Sequence, residues 1–97
     1  MTVRVFALTT LNPNQTEALS TYMATTSPLL EQAKARVIQT YTIASTMIGE
    51  TVPNTITIVE YPDMGAVNSV FQSAEYGLLK EIRAQAFSNY QIAILAD

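Results

Sequence analysis

The chain has 97 residues, of which 48% are apolar and 13% charged, with a net charge of −3. This length predicts a single domain over residues 1–97, because domains cluster near roughly 100–150 residues. The chain has no cysteine and no histidine, which excludes disulfides, thiolate zinc sites and Ser-His or Cys-His catalytic pairs. There is no basic run and no apolar stretch near the ~18–20 residues that span a bilayer, so we expect neither nucleic acid nor a membrane as partner.

The first half of the chain predicts a strand, a helix and a second strand. Residues 2–9 are β-branched and apolar, which is typical of a strand buried on both faces. Asn12 is the expected N-cap of the following helix. Pro28 is expected to break or kink that helix, with a further turn or two over residues 29–34. Dense Val, Ile, Tyr and Thr over residues 36–47 predict the second strand.

The second half predicts a strand, a helix in two parts and a last strand. Residues 49–54 contain Gly, Pro and Asn and predict a hairpin loop before a strand over residues 56–61. Asp63 is expected to cap the next helix, and Ser73 is expected to cap its second part. Residues 90–96 predict the fourth strand. The apolar face of the second helical part is predicted to consist of Leu78, Leu79, Ile82 and Ala86.

The predicted element order is therefore β-α-β-β-α-β. Short connections and the right-handed crossover rule favour one solution for this order. The predicted fold class is α+β, a ferredoxin-like βαββαβ sandwich with a four-stranded antiparallel sheet and two helices on one face.

Both faces of the predicted sheet are apolar, which predicts a homodimer. Side chains alternate across a strand, so Val5 and Phe6 point to opposite faces. Four strands give a projected face of roughly 330 Å², with an accessible area about twice that. Monomers usually tolerate apolar patches of roughly 300–600 Å². Since two helices cover only one face, we expect a second copy to cover the other, in a twofold pair.

One run of residues and the positions after it carry a family pattern. They are Ile58-Val59-Glu60-Tyr61-Pro62-Asp63, followed by Ala66, Phe71, Ser73-Ala74-Glu75-Tyr76, Leu79 and Arg83. In these residues the chain resembles the bacterial family called domain of unknown function 1330, of the dimeric α+β barrel superfamily. Ala74 stands where that family usually has proline, which indicates a divergent member. The resemblance implies the barrel dimer and a bacterial source, and implies little about activity.

Glu60 and Arg83 are the first two candidates for a ligand site. Glu60 lies at a strand end, where burial would raise its pKa and let it act as a base. Its alternative role is structural, as an ion pair with Arg83 or a contact to a helix cap. Arg83 could anchor a ligand carboxylate in a bidentate way, or it could be solvated or paired with a Glu.

Aromatic residues and a strand arginine complete the candidates. Tyr76 is expected to pack under the strand end and to bond through its hydroxyl. Arg4 lies in an apolar strand, so it must be paired or reach water, at the barrel rim or in a pocket. Four aromatic residues could line an apolar cleft between helices and sheet, or belong to the core: Phe6, Tyr22, Tyr41 and Tyr61. The ligand-binding candidates are Glu60, Arg83, Tyr76, Tyr61, Arg4 and Tyr41.

Three functions remain open from the sequence. The first is a small dimer that binds a small, partly apolar ligand in a cleft between sheet and helices. The second is a cofactor-free enzyme, oxygenase- or isomerase-like, which depends on fold analogy. The third is a purely structural dimerisation module. No cofactor and no metal site are expected, because no dense carboxylate cluster exists. The first ten residues predict a strand rather than a signal peptide, so the expected location is the cytoplasm.

Overall fold

The computed structural model describes residues 2–96. Its first half contains β1 (Val3–Leu11), α1 (Thr16–Gln32), β2 (Arg36–Thr42) and β3 (Thr55–Tyr61). Its second half contains α2 (Met64–Phe71), α3 (Ala74–Gly77), α4 (Lys80–Ala86) and β4 (Phe87–Ile94). The chain therefore has the predicted βαββαβ order, with the second helix divided into three short pieces instead of two.

The four strands form one antiparallel sheet in the order β2-β3-β1-β4. Val5 lies opposite Val59 in the register of β1 and β3, and Phe6 lies opposite Ile58. Because facing residues of paired strands point to the same side, the first pair faces the helices and the second pair faces away from them. This arrangement confirms the predicted α+β, ferredoxin-like fold.

The core lies between the helices and one face of the sheet. Buried side chains from β1, β3, α1, α2 and α3, together with one residue at the end of α1 and one before α4, form one cluster of nine residues. They are Val5, Tyr22, Leu29, Ala33, Tyr61, Val67, Val70, Tyr76 and Leu79. We call the helix-covered side of the sheet the inner face and the uncovered side the outer face.

The predicted cap at Asn12 is wrong. The helix α1 begins at Thr16, and its N-cap residue Gln15 makes no side-chain cap hydrogen bond. The Nδ2 of Asn12 instead donates to the Gln85 carbonyl at 2.8 Å, and its backbone N–H donates to Ala86. These two hydrogen bonds connect the end of β1 to the end of α4. The Asn12 side chain therefore bonds a distant segment and does not cap α1.

The helix α1 continues through Pro28 to Gln32, so the expected break there is also wrong. Proline removes one backbone donor from the helix and disfavours the helical region for the residue before it. Leu29 is buried in the core cluster directly after the proline, and its packing holds the last turn in place. The helix ends where Lys34 adopts a left-handed φ of 59°.

Both predicted caps in the second helical region are confirmed. The Ala66 N–H donates to Asp63 Oδ1 at 2.8 Å, and the Tyr76 N–H donates to Ser73 Oγ at 3.1 Å. The predicted apolar face is wrong at Leu78, which is 81% exposed. Leu78 keeps helical dihedrals, but Leu79 departs from them, so α3 and α4 do not form one continuous helix with a shared apolar face.

The strand β2 ends at Thr42, five residues before the predicted end at residue 47. The Ile43 N–H donates to the Asn54 carbonyl, which closes the hairpin loop at that point. The loop then bends at Gly49, whose φ of 96° suits glycine. β-branched composition alone does not continue a strand once its partner strand has ended.

No helix within residues 2–96 has the length and apolar character needed to cross a membrane.

Candidate functional site

A cleft of about 410 Å³ lies between α1 and the inner face of the sheet. Its floor includes Val5, Ala7, Thr9, Thr57, Val59 and Ile92, and its α1 wall includes Leu19, Tyr22, Met23, Thr26 and Leu30. Alternate residues of each strand share the floor because strand side chains have a period of two. The small side chains at the centre of the sheet, and the packing of α1 against α4, leave this space open.

The lining of the cleft is apolar except for hydroxyl groups. Within the described part of the chain, no Asp, Glu, Lys or Arg side chain lines the cleft. Its polar side chains are serine, threonine and tyrosine. Such a cleft gains most from a ligand with a mainly apolar surface, and its volume lies within the usual range for small-molecule sites, roughly 300–1,000 Å³.

Three tyrosines that line this cleft bring their hydroxyls together, and we call Tyr22, Tyr76 and Tyr90 the tyrosine cluster. Tyr22 comes from α1, Tyr76 from α3 and Tyr90 from β4, and all three residues line the cleft. The Tyr90 hydroxyl makes a short hydrogen bond with Tyr22 and a 2.8 Å hydrogen bond with Tyr76. The Tyr22 and Tyr76 hydroxyls are 3.4 Å apart. Tyr90 is therefore the central member of the cluster.

Tyr22, Tyr61 and Tyr90 keep their protons at neutral pH. Burial raises the pKa of Tyr22 well above its usual value near 10, and the neighbouring hydroxyls of Tyr90 and Tyr76 raise it further. Burial also raises the pKa of Tyr90. Tyr61, deeper in the core, has its pKa raised to about 12 by burial and by Tyr76. These groups are hydrogen-bond donors and acceptors, not bases.

Arg83 stacks on the tyrosine cluster without lining the cleft. Its guanidinium carbon lies 5.5 Å from the ring centroid of Tyr76 and 5.1 Å from that of Tyr90. Both distances are within the range of cation–π contacts. Arg83 therefore supports the two rings from outside the ligand space.

Glu60, Arg4 and Tyr41 lie on the outer face of the sheet. Glu60 accepts a hydrogen bond from Arg36 Nη2 at 2.9 Å, and its other carboxylate oxygen lies 3.8 Å from Arg4 Nε. Arg4 and Arg36 both face Glu60 in the strand register. The expected ion pair between Glu60 and Arg83 is therefore wrong, because these two residues lie on opposite sides of the sheet.

The structure brings two of the six candidates, Tyr61 and Tyr76, into the cleft, and places Arg83 behind it. It separates Glu60, Arg4 and Tyr41 from them by the thickness of the sheet. Sequence reasoning missed Tyr90 as a site residue. Tyr90 and Ile92 are two residues apart on β4, so the sequence indicates that they lie on the same face of the sheet. Only the register, which places Tyr90 opposite Thr9, shows which face this is.

The fold and the cleft define a small α+β protein of ferredoxin-like architecture. The sequence matches the family model described as Domain of unknown function (DUF1330) over residues 4–96. The chain belongs to this family, which confirms the resemblance noted in the sequence. No curated protein matches the sequence.

Several solved structures share this fold. A protein of unknown function from Rhodopseudomonas palustris is 19% identical, with a TM-score of 0.80 over 99% of this chain and 82% of that chain. A dimeric ferredoxin-like protein of unknown function from Thermobifida fusca is 14% identical, with a TM-score of 0.61 over 100% and 92%. A dimeric protein of unknown function with a ferredoxin-like fold, from Bacteroides fragilis, is 13% identical, with a TM-score of 0.57 over 99% and 96%.

Proposed function

We propose that the protein is a homodimer in which each protomer binds a small, largely apolar molecule in the cleft between α1 and the sheet. The observation that carries this proposal is the cleft itself. It has a volume of about 410 Å³ and, among residues 2–96, its lining offers apolar and hydroxyl-bearing side chains and no charged group.

The expected binding energy is modest. A ligand that hides about 250 Å² of apolar surface gains roughly 6 kcal/mol at about 25 cal/mol per Å². The loss of translational and rotational freedom offsets much of this gain. We therefore expect complexes that require high-micromolar ligand for saturation, unless a specific polar contact adds to them.

The outer face of the sheet supports the homodimer. Its central side chains are Phe6 and Leu8 on β1 with Ile58 and Ile56 opposite them on β3. All four are apolar and partly exposed in the single chain. An apolar sheet face is stable in water when a second copy covers it. Two structural neighbours with this fold are described as dimeric.

The chemistry of the cleft favours binding over catalysis. Acid–base turnover requires a group that titrates near the working pH. Across the described residues, the cleft offers tyrosines as its ionisable groups, and burial raises the pKa of Tyr22, Tyr61 and Tyr90 above the usual value. A purely structural module would need no such cleft, so ligand binding is the better account of this space.

A cleft-filling variant tests the proposal. Ala7 lies at the centre of the cleft floor, so Ala7→Phe should fill the cleft. Ala84→Phe adds the same side chain at an exposed position of α4 and serves as the matched control. The probe is tetralin, an uncharged bicyclic hydrocarbon. NMR titration should shift the methyl resonances of Val5 and Val59 in the wild-type and control proteins.

The Ala7→Phe variant should lose these shifts while it keeps a cooperative thermal transition. The proposal is wrong if tetralin produces no shifts in the wild-type protein up to its solubility limit. It is equally wrong if the same shifts persist in Ala7→Phe.

A further inference from the structure

The tyrosine cluster has one more proton than it has short hydrogen bonds. Each hydroxyl carries one donor proton and two acceptor sites, so the cluster has three protons. Two short contacts join Tyr90 to Tyr22 and to Tyr76, and each uses one proton. The third contact, at 3.4 Å, is beyond the usual 2.5–3.0 Å for O–H···O bonds.

This surplus does not depend on the direction of the two short bonds. If Tyr90 donates to Tyr22, then the proton of Tyr22 is left over, and if Tyr90 donates to Tyr76, then that of Tyr76 is left over. If both neighbours donate to Tyr90, its own proton is left over. Across the described residues, the three hydroxyls make no side-chain hydrogen bond outside the cluster. One donor therefore has no short hydrogen bond among the described residues, in a cluster whose three residues line the cleft.

The surroundings of this donor favour an uncharged acceptor. A carboxylate in the cleft would lose its hydration without meeting a cationic side chain in the described lining, which costs several kcal/mol. Arg83 lies over the ring faces of Tyr76 and Tyr90 and does not line the cleft. A neutral carbonyl oxygen has a much smaller desolvation cost, which one hydrogen bond offsets.

We propose that the cleft selects uncharged molecules that join an apolar ring or chain to a single hydrogen-bond-accepting oxygen, such as aryl ketones. The oxygen accepts the surplus proton of the tyrosine cluster, and the apolar part lies on the floor formed by β1 and β3. This inference rests on the proposed function of the cleft and adds the chemical class of its ligand.

Three probes with the same bicyclic ring system test the ligand class. They are tetralin, 1-tetralone and tetralin-1-carboxylic acid, which is an anionic carboxylate at neutral pH. The decisive variant replaces Tyr22, Tyr76 and Tyr90 together by Phe. A single replacement is not informative, because the two hydroxyls that remain still have more protons than bonds between them. Replacing every partner with an isostere leaves no orphaned polar group, so this variant should fold.

The measured quantity is the ratio of the affinities for 1-tetralone and tetralin, from NMR titrations of the intact protein. We expect this ratio to fall about three- to tenfold in the triple variant, the range of one net hydrogen bond. Tyr41→Phe, on the outer face, should leave the ratio unchanged. The carboxylate should bind at least about tenfold more weakly than 1-tetralone, because its charge finds no partner.

The outcomes separate the two proposals. An unchanged ratio in the triple variant, with tetralin still bound, overturns the ligand class and leaves the proposed function in place. Tightest binding of the carboxylate also overturns the ligand class. Failure of both neutral probes to bind the wild-type protein overturns the proposed function and the ligand class together.

Discussion

A charge at the centre of the outer face should dissociate the proposed homodimer. Ile58 lies on β3 opposite Phe6 of β1, in the middle of the four-stranded sheet. The helices cover the other side of the sheet, so Ile58→Glu changes the outer face and leaves the core cluster and the cleft lining intact.

The loss of dimer stability in Ile58→Glu follows from the apolar surface that Ile58 buries in the interface. Covering a whole Ile side chain stabilises by about 1.5–3 kcal/mol. Ile58 is already half-buried in the single chain, so the interface adds up to about 1 kcal/mol per copy, and a twofold axis places Ile58 in it twice. The variant therefore loses up to about 2 kcal/mol of apolar burial per dimer, and the desolvation of two carboxylates costs several kcal/mol more. At about 1.4 kcal/mol per tenfold change, the dimer Kd rises by at least about 10²-fold.

Sedimentation velocity at micromolar concentration measures this change. The wild-type protein should sediment as a dimer and Ile58→Glu as a monomer. Asn68→Glu, which adds the same side chain on an exposed position of α2, should remain a dimer. A homodimer through the outer face is excluded if Ile58→Glu sediments like the wild-type dimer, or if the wild-type protein is a monomer at this concentration.

Substitutions of Glu60, Asp63 and Tyr61 test the placement of side chains, a helix cap and a buried hydroxyl. Glu60→Gln should leave tetralin affinity unchanged in NMR titration, because Glu60 lies on the outer face with Arg36; a loss of affinity would contradict that placement. Asp63→Ala should lower stability by about 0.5–2 kcal/mol, the value of an N-cap, which a thermal melt detects as a lower Tm. Stability should fall as pH rises from about 10 toward 12, because unfolded tyrosines release protons near 10 while folded Tyr61 retains its proton to about 12. Urea unfolding at about pH 8 and about pH 11 measures this fall, and Tyr61→Phe should reduce it.

The parts of the fold that depend on short-range pattern could be predicted from the sequence. Alternation of side chains along β1 places Val5 and Phe6 on opposite faces wherever the strand pairs. Asp63 and Ser73 cap their helices because a side-chain oxygen needs only the N–H three residues later. These interactions are complete within a few residues, so tertiary structure has little influence on them.

The predictions that were wrong share one physical cause. At each of these positions, interactions with segments distant in the sequence, or their loss, outweigh the local sequence pattern. Asn12 bonds the end of α4, more than seventy residues away, instead of its own helix. Packing of Leu29 carries α1 past Pro28, and the loss of a partner strand ends β2 at Thr42. Leu78 lies outside because α3 and α4 do not form one continuous helix.

The candidate site shows the same division between local and distant determinants. The sequence alone determined the order of elements, the two apolar sheet faces and the absence of His and Cys chemistry, because these depend on composition and on periodicity along the chain. Only the tertiary structure decided that the Tyr90 hydroxyl is hydrogen-bonded to those of Tyr22 and Tyr76. It also decided that Glu60 and Arg83 lie on opposite sides of the sheet. The physical reason is strand register, since pairing between distant segments selects the face of every side chain and no local pattern carries that information.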